Sequence, residues 1–241
     1  MSEFASLGRR DGRKAYEIRG FRCELGYLER ADGSCRLEQG KTQVVAGVYG
    51  PLEARGRNEL PDKTFVDVSI RPCQGYAADY LRLRERELKE IFVATIAAEL
   101  QPRSCVSLVI QIIENDGSLK AAMINACMLS LLSAGIPCNW IASSCTVSYH
   151  SKDTFLLDPT LVEELEGHAT AVISYGFEGP KPVPSHNLIG LSCSGFVSSK
   201  DIYFSSLSYS QEACKKVYEF IQLVTKRSQT IDGEQLSGID H

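Results

Sequence analysis

The sequence has no long uninterrupted apolar stretch. Its most apolar region, residues 126–147, is broken by Gly135, Pro137 and Asn139, whereas a helix that crosses a bilayer needs about 20 consecutive apolar residues. Residues 1–14 are charged and contain no apolar stretch of the kind that a secretory signal needs. We therefore expect no transmembrane helix and a location inside the cell.

Metal-binding cysteine patterns and an excess of basic charge are also missing. The nine cysteines are scattered with no Cys-x-x-Cys pair, and the four histidines are not spaced as zinc ligands. Lys and Arg number 26 against 30 Asp and Glu, which excludes histone-like binding of nucleic acid through overall charge. We expect free thiols, and any contact with RNA or DNA must come from a local patch.

The sequence does have enough apolar residues, 44%, to bury the core of one large or two small domains. No repeat, low-complexity stretch or composition break marks a linker, so a single domain over 1–241 is expected, with a loose polar tail at 231–241. Glycine turns divide the first third into extended segments. These segments are residues 15–28, 34–39, 42–49 and 64–71.

Helices and strands alternate in the rest of the chain. Apolar residues at helical spacing predict a helix from Asp79 to about Leu100, where Pro102 stops it. The later segments are a strand at 107–114, the turn Asp116-Gly117-Ser118, a helix at 119–134, strands at 138–149, 168–176, 187–194 and 201–205, a short acidic helix or turn at 159–166, and a last helix that begins near Ser208. This order favours an α+β fold with helices packed on sheets.

A series of glycines forms the most specific pattern in the chain. The pattern consists of Arg10-Asp11-Gly12-Arg13, Gly26, Ala31-Asp32-Gly33-Ser34, Gly40 with Thr42, and Gly50-Pro51. It resembles the opening of the ribonuclease PH family, which includes bacterial phosphorolytic exonucleases that trim tRNA and the ring subunits of the eukaryotic RNA exosome. The resemblance continues through the arginine-bearing helix and the turn at 116–118, and weakens after about Tyr175.

The resemblance implies a ribonuclease PH fold, with layers like domain 2 of ribosomal protein S5, βαβ units and helices on mixed sheets. Members of the family pair and close into six-membered rings around a pore. The expected partners are therefore other ribonuclease PH-like exosome subunits and RNA, in the nucleus, the nucleolus and the cytoplasm. Single-stranded DNA and a second copy of the chain in a homodimer are further candidates.

Phosphorolysis needs a phosphate site, and the turn before the helix at 119–134 is the candidate. Backbone N–H groups at Gly117 and Ser118, with the Ser118 hydroxyl, suit an anion at a helix N-terminus. Active relatives place an arginine next, where this chain has Leu119. Such a charge-assisted contact contributes about 1.5 to 3 kcal/mol. Lys120 is the candidate to replace it, and a simple capped turn is the alternative interpretation.

Two acids are the second requirement of the family chemistry. Active relatives carry two aspartates six residues apart, and the matching positions here are Glu164 and Thr170, so one carboxylate is missing. If the chain is a nuclease, its catalytic candidates are Asp158, Glu164 and Lys120, with inorganic phosphate and Mg²⁺ as cofactors. Asp158, Glu163 and Glu164 are weaker candidates for Mg²⁺ ligands, and a solvated acidic face is the alternative.

RNA contact is predicted in the region that faces RNA in relatives. The candidate residues are Arg71, Gln74, Arg82, Arg84 and Arg86. Arg82 and Arg86 are four residues apart on a helix, so they share a face and suit successive phosphates. Ion pairing with Glu85, Glu87 and Glu90, or ordinary solvation of the arginines, is the alternative. We interpret Trp140 and the tyrosines as core or subunit contacts.

These observations predict an exosome-type ring subunit that scaffolds the complex and contacts RNA during 3′–5′ processing and degradation, including rRNA processing and mRNA turnover. Its phosphorolytic site is degenerate, and a scaffold needs no cofactor. One alternative is an active homodimeric nuclease, either a phosphorolytic 3′–5′ exoribonuclease or a metal-dependent hydrolytic nuclease on RNA or DNA. A family member that only binds other proteins is another.

Overall fold

Nine strands and four α-helices make up the part of the chain that the computed structural model describes. That part consists of residues 9, 11–54, 56, 59–75, 79–151, 154–178, 186–197 and 199–237, the last nine by their backbone alone. In chain order the elements are β1 (Phe21–Leu25), β2 (Gly33–Gln39), β3 (Thr42–Glu53), β4 (Phe65–Arg71), α1 (Asp79–Thr95), β5 (Ser104–Glu114), α2 (Leu119–Ser133), β6 (Ile141–Ser151), β7 (Thr154–Leu157), α3 (Leu161–Glu166), β8 (Ala169–Phe177), β9 (His186–Gly195) and α4 (Lys200–Ser237).

The first sheet has five strands in the order β1-β2-β3-β5-β4. Neighbouring strands run antiparallel, except that β4 and β5 are parallel. Parallel strands need a crossover connection, and α1 lies in the connection between β4 and β5. The βαβ unit that the resemblance implies is therefore present.

The second sheet has four antiparallel strands in the order β7-β6-β8-β9. Helix α2 packs against β2 and β3 of the first sheet and β6 of the second. Its side chains are buried from Leu119 to Leu131, as expected for a helix that is apolar on all sides. A second apolar core lies between the second sheet and α4. The α+β arrangement, with helices packed on sheets, is confirmed.

Helix α4 corrects two predictions near the C-terminal end. Residues 201–205 are the first part of α4 and not a strand, and the helix begins at Lys200 and not near Ser208. Ser206 and Ser210 occupy fully buried positions of this helix, so its inner face does not read as an apolar stripe. The Ser206 hydroxyl is hydrogen-bonded to the Tyr149 hydroxyl at 2.7 Å, which satisfies it in the core.

Helix α1 ends earlier than the predicted Leu100. It stops at Thr95, Ile96 forms a β-bridge with Cys138, and Ala98–Leu100 is a 3₁₀ helix. The Thr64 N–H donates to the carbonyl of Ala98 at 2.8 Å, so a contact with a distant segment turns the chain away from the helix. Strand β7 was not predicted.

Other expectations concern the termini, the thiols and membranes. Helix α4 reaches Ser237 and so enters the segment predicted to be a loose tail, while residues 238–241 lie outside the described residues. The single domain stays a prediction.

All nine cysteines are free, as expected. Within the described ranges, no helix is both long and apolar enough to cross a membrane.

Candidate functional site

The turn before α2 has a backbone that glycine makes possible. Gly117 has φ +85° and Ser118 has φ +53°, both in the left-handed region that favours glycine. A Cβ atom on Gly117 would lie 2.4 Å from the carbonyl carbon of Thr160 and 2.5 Å from the nitrogen of Leu161. The turn is therefore pressed against the start of α3, and position 117 has no room for a side chain.

The groups predicted to hold phosphate already have protein acceptors. The Ser118 N–H donates to Glu164 Oε1 at 2.6 Å, and the Ser118 hydroxyl donates to the carbonyl of Pro159 at 3.0 Å. The Gly117 N–H donates to Asn115 Oδ1 at 3.2 Å. The carboxylate of Glu164 thus occupies the position of an anion at the N-terminus of α2, and a phosphate must displace it to bind there.

The Glu164 carboxyl group lies in a half-buried position close to positive charge. Burial raises the pKa of Glu164 above its ordinary value, while the Ser118 N–H and the charges of Arg84 and Arg19 act in the opposite direction. The side chain predicted to be a catalytic acid is therefore a half-buried capping group for α2.

Lys120 points away from the turn. Its buried ammonium group is ion-paired with Glu87 of α1, and the Ser192 hydroxyl donates to the other oxygen of Glu87 at 3.2 Å. These groups line a cavity of about 510 Å³ between α1 and the strands β8 and β9. Because Glu87 neutralises the lysine, the predicted role of Lys120 in phosphate binding or catalysis finds no support in this geometry.

Asp158 is fully buried and serves as an anchor for the N-terminal segment. Its carboxylate accepts from the Arg19 backbone N–H and guanidinium, both at 2.7 Å, and from Gln39 Nε2 at 2.8 Å. Burial by itself would raise the pKa of Asp158, but the hydrogen bonds and charge of Arg19 outweigh it and hold the pKa below its usual value. With no exposed oxygen, Asp158 does not face a substrate, contrary to its predicted catalytic role.

Arg19 connects this anchor to the turn. Its guanidinium also donates to the carbonyl of Asp116 at 2.9 Å and to that of Gly117 at 3.1 Å. The Thr42 hydroxyl donates to the Gly117 carbonyl at 2.7 Å. The turn is therefore shaped by polar contacts from the first sheet as well as from α3.

Glu163 forms a third, separate contact. Arg9 binds it through two hydrogen bonds of 2.9 Å, and the Thr160 N–H donates to it at 2.8 Å. Burial would raise the pKa of Glu163, but Arg9 and the Thr160 N–H hold it below its usual value. The structure therefore pairs this carboxylate with an arginine and leaves it no place among metal ligands.

The predicted Mg²⁺ site has no counterpart in the structure. Asp158, Glu163 and Glu164 each bind a different protein group, as described above. Among the residues that the structure describes, no three His, Cys, Asp or Glu side chains are grouped closely enough to hold a metal ion.

The predicted RNA-contacting residues lie on and beside α1. Arg71, Gln74, Arg82 and Arg86 are exposed, and Arg84 is half-buried. Two acidic neighbours on the helix are engaged elsewhere, since Glu85 accepts from the Ile70 N–H at 2.7 Å and Glu87 binds Lys120. Asp79 and Glu90 are exposed, and Asp79 lies 3.9 Å from Arg82. Within the described part of the chain, these arginines form no ion pair with the glutamates of α1, so the ion-pairing alternative is not what the structure shows.

Sequence reasoning missed Arg9, Arg19 and Gln39, which set the geometry of the buried cluster. The glycine pattern included their neighbours Gly12 and Gly40, which was the available signal. It did not indicate the partners, because Arg19 and Asp158 are 139 residues apart in the chain.

Comparisons with known proteins agree with this structure. Residues 17–137 match the family model described as RNase PH, 3′ exoribonuclease family, domain 1. The rice (Oryza sativa subsp. japonica) exosome complex exonuclease RRP46 homolog is 30% identical over 228 residues, which are 91% of this chain and 96% of that protein. The human exosome complex component RRP41 is 35% identical over 174 residues, 65% of this chain and 68% of that protein.

Solved structures show the same fold. The crystal structure of rice Rrp46 superimposes with a TM-score of 0.82 at 30% identity, covering 90% of this chain and 100% of that one. An archaeal exosome core chain gives a TM-score of 0.74 at 21% identity, with 89% and 91% covered, and this second likeness shows the fold alone. The expected ribonuclease PH fold is thereby confirmed.

Proposed function

Because the chain belongs to the RNase PH family of 3′ exoribonucleases, we propose that it is a ring subunit of an exosome-type complex. In this role it contacts RNA during 3′–5′ processing and degradation and leaves phosphorolysis to other subunits. This proposal rests mainly on the hydrogen bond between the Ser118 N–H and Glu164, because that bond places a carboxylate where the reaction needs a phosphate.

Phosphorolysis requires two anions, inorganic phosphate and the RNA backbone, to be held close together. The N-terminus of α2 has lost the means to do so. Glu164 takes the backbone donor and adds a negative charge, Leu119 replaces the arginine of active relatives, and the charge of Lys120 is neutralised by Glu87. These three features all weaken phosphate binding.

RNA contact is supported by the exposed face of α1. The chain has a formal net charge of −4, yet this face carries Arg82 and Arg86, while Glu85 is bound by the Ile70 N–H and Glu87 by Lys120. The acids Asp79 and Glu90 are exposed on the same helix. A local patch of this kind binds phosphates in a salt-dependent way that does not require sequence recognition. It suits a surface over which RNA of any sequence passes.

The partners that follow from this function are other RNase PH-like subunits. Relatives named exosome complex components support this assignment, and rRNA processing and mRNA turnover in the nucleus, nucleolus and cytoplasm are part of the proposal. The scaffold role needs no cofactor, whereas inorganic phosphate and Mg²⁺ would be needed only by an active nuclease. A native mass measurement of the isolated chain distinguishes a monomer from a homodimer.

The experiment that tests the proposal is an RNA degradation assay on the full chain. Labelled RNA is incubated with and without phosphate, and with Mg²⁺ or EDTA. We expect the RNA to stay intact under all four conditions and to be retained by the protein at low salt. Phosphate-dependent nucleoside diphosphates would show phosphorolysis, EDTA-sensitive monophosphates would show hydrolysis, and either product would overturn the proposal. The same assay with single-stranded DNA tests the choice of nucleic acid.

A further inference from the structure

Tyr80 is a large aromatic residue exposed in the first turn of α1, on the side of the helix that carries Arg84. It is the second residue of the helix, and 58% of its surface is accessible. Leu83, one turn further along, is 59% exposed. Of the two roles predicted for the tyrosines, exposure excludes a core contact at position 80 and leaves a subunit contact as the alternative to a nucleic acid contact.

The ring of Tyr80 is paired with the guanidinium group of Arg84. The Arg84 guanidinium carbon lies 5.5 Å from the ring centroid, within the range of a cation–π contact. The positive charge of Arg84 also acts to lower the pKa of Glu164. Within the described ranges Arg84 makes no ion pair with a carboxylate, and its charge stays available to a phosphate.

A second tyrosine of the chain provides an internal comparison. Tyr27 is 44% exposed, and the Arg36 guanidinium carbon lies 5.6 Å from its ring centroid. Arg36, however, is ion-paired with Glu38 at 3.1 Å and donates to Gln43 at 3.2 Å. The two tyrosine–arginine pairs have similar distances between guanidinium and ring, and they differ in that Arg36 is ion-paired with a carboxylate.

We propose that Tyr80 is a stacking platform for an unpaired RNA base, with a phosphate next to that base bound by Arg84, which lies one turn further along the same side of α1. Aromatic rings bind bases of any identity through their π-faces, and arginines hold the backbone beside them. Bases in a duplex are stacked on one another and cannot reach the ring. The α1 face therefore selects single-stranded RNA, an inference that rests on the proposed function and specifies its substrate.

The test compares binding of a 5′-labelled oligouridine and of a blunt RNA duplex by the full chain and its variants. For oligouridine, Tyr80→Ala is expected to weaken binding by about fivefold to 150-fold, which corresponds to about 1–3 kcal/mol for one stacked base. Tyr80→Phe retains the ring and should stay within about twofold of the unchanged chain. Tyr27→Ala is the matched control and should also stay within twofold, and duplex binding should be the same in all variants.

A direct readout accompanies the affinities. Oligouridine that carries 5-iodouracil is irradiated on the protein, and mass spectrometry identifies the crosslinked residue, which we expect to be Tyr80. Unchanged oligouridine binding by Tyr80→Ala, an equal loss for duplex and single strand, or crosslinks confined to other residues would each overturn the inference. If the unchanged chain binds neither RNA, the proposed RNA contact fails as well, which distinguishes that failure from the failure of the Tyr80 platform alone.

Discussion

The turn before α2 and the exposed face of α1 both contain charged residues, which are buried at the turn and exposed on α1. At the turn, buried charges are matched inside the protein: Asp158 by Arg19 and Glu163 by Arg9. On α1, the one ion pair of Arg82 among the described residues is a long contact of 3.9 Å with Asp79, both side chains being well exposed. Buried pairs are costly to break, whereas exposed ones contribute little to stability. The turn is therefore a structural element, and the α1 face is free to bind a ligand.

The largest effect should come from breaking the buried cluster. Arg19→Leu leaves the carboxylate of Asp158 without its main partner, and we expect the free energy of unfolding to fall by about 3–5 kcal/mol. Denaturant unfolding measures this value. Arg82→Leu, which removes an exposed arginine, is the control and should change the free energy by less than about 0.5 kcal/mol. Similar losses in the two variants would contradict the contrast between the regions.

The next effect tests how tightly the turn is packed. Gly117→Ala combines a positive φ with a clash against the backbone of Thr160, and we expect a loss of about 2–4 kcal/mol. Gly135→Ala is the matched control, because Gly135 also has a positive φ, +68°, but no atom lies within 4 Å of the added Cβ. That control should lose about 1 kcal/mol. Equal losses would show that α3 does not close over the turn.

RNA binding should depend on the open region and not on overall charge. Arg82→Glu with Arg86→Glu should lower the affinity for single-stranded RNA at least about tenfold. The same change should reduce the slope of log K against log salt by about 1.4, since each phosphate contact in a single strand contributes about 0.7. Arg22→Glu with Arg30→Glu makes the same change of charge at other exposed positions. An equal response to the control pair would remove α1 from the RNA path.

The smallest expected effect is a pH dependence of the free energy of unfolding, which tests the buried contact of Glu164. The pKa of Glu164 is raised in the folded state above the ordinary glutamate value of 4.5. The stabilisation that follows is therefore complete at pH values below 4.5 and is lost as the pH rises through the folded-state pKa. Glu164→Gln cannot titrate but keeps an oxygen for the Ser118 N–H. We therefore expect the stability of the variant relative to the unchanged chain to increase from about pH 4.5 upward.

Unfolding measured between pH 4 and pH 7 checks this expectation. Asp158 and Glu163, whose pKa values are lowered, make both proteins less stable in acid, and that loss cancels in the difference. Glu166→Gln removes one charge from an exposed position of the same helix and controls for net charge. A difference that stays constant over the range would mean that Glu164 is not held in its buried contact.

Local patterns predicted those parts of the fold that depend on neighbours in the chain. The helix at 119–134 was found to within one residue, because an apolar segment between Gly117 and Gly135 has few other structures open to it. The start of the C-terminal helix was predicted wrongly because its inner face includes Ser206 and Ser210. These polar residues are buried in the assembled core. Local propensity does not contain that information.

The candidate site divides in the same way. The sequence by itself determined the turn and the arginines along α1, since each depends on residue type and short spacing, and the family resemblance added that Leu119 stands where active relatives have an arginine. Only the tertiary structure decided what the turn holds. Ser118 and Glu164 are 46 residues apart, and Lys120 meets Glu87 across two helices, so these contacts exist only once the layers pack. The physical reason is that spacing along the chain specifies local geometry, whereas the pairing of buried charges depends on which segments packing brings together.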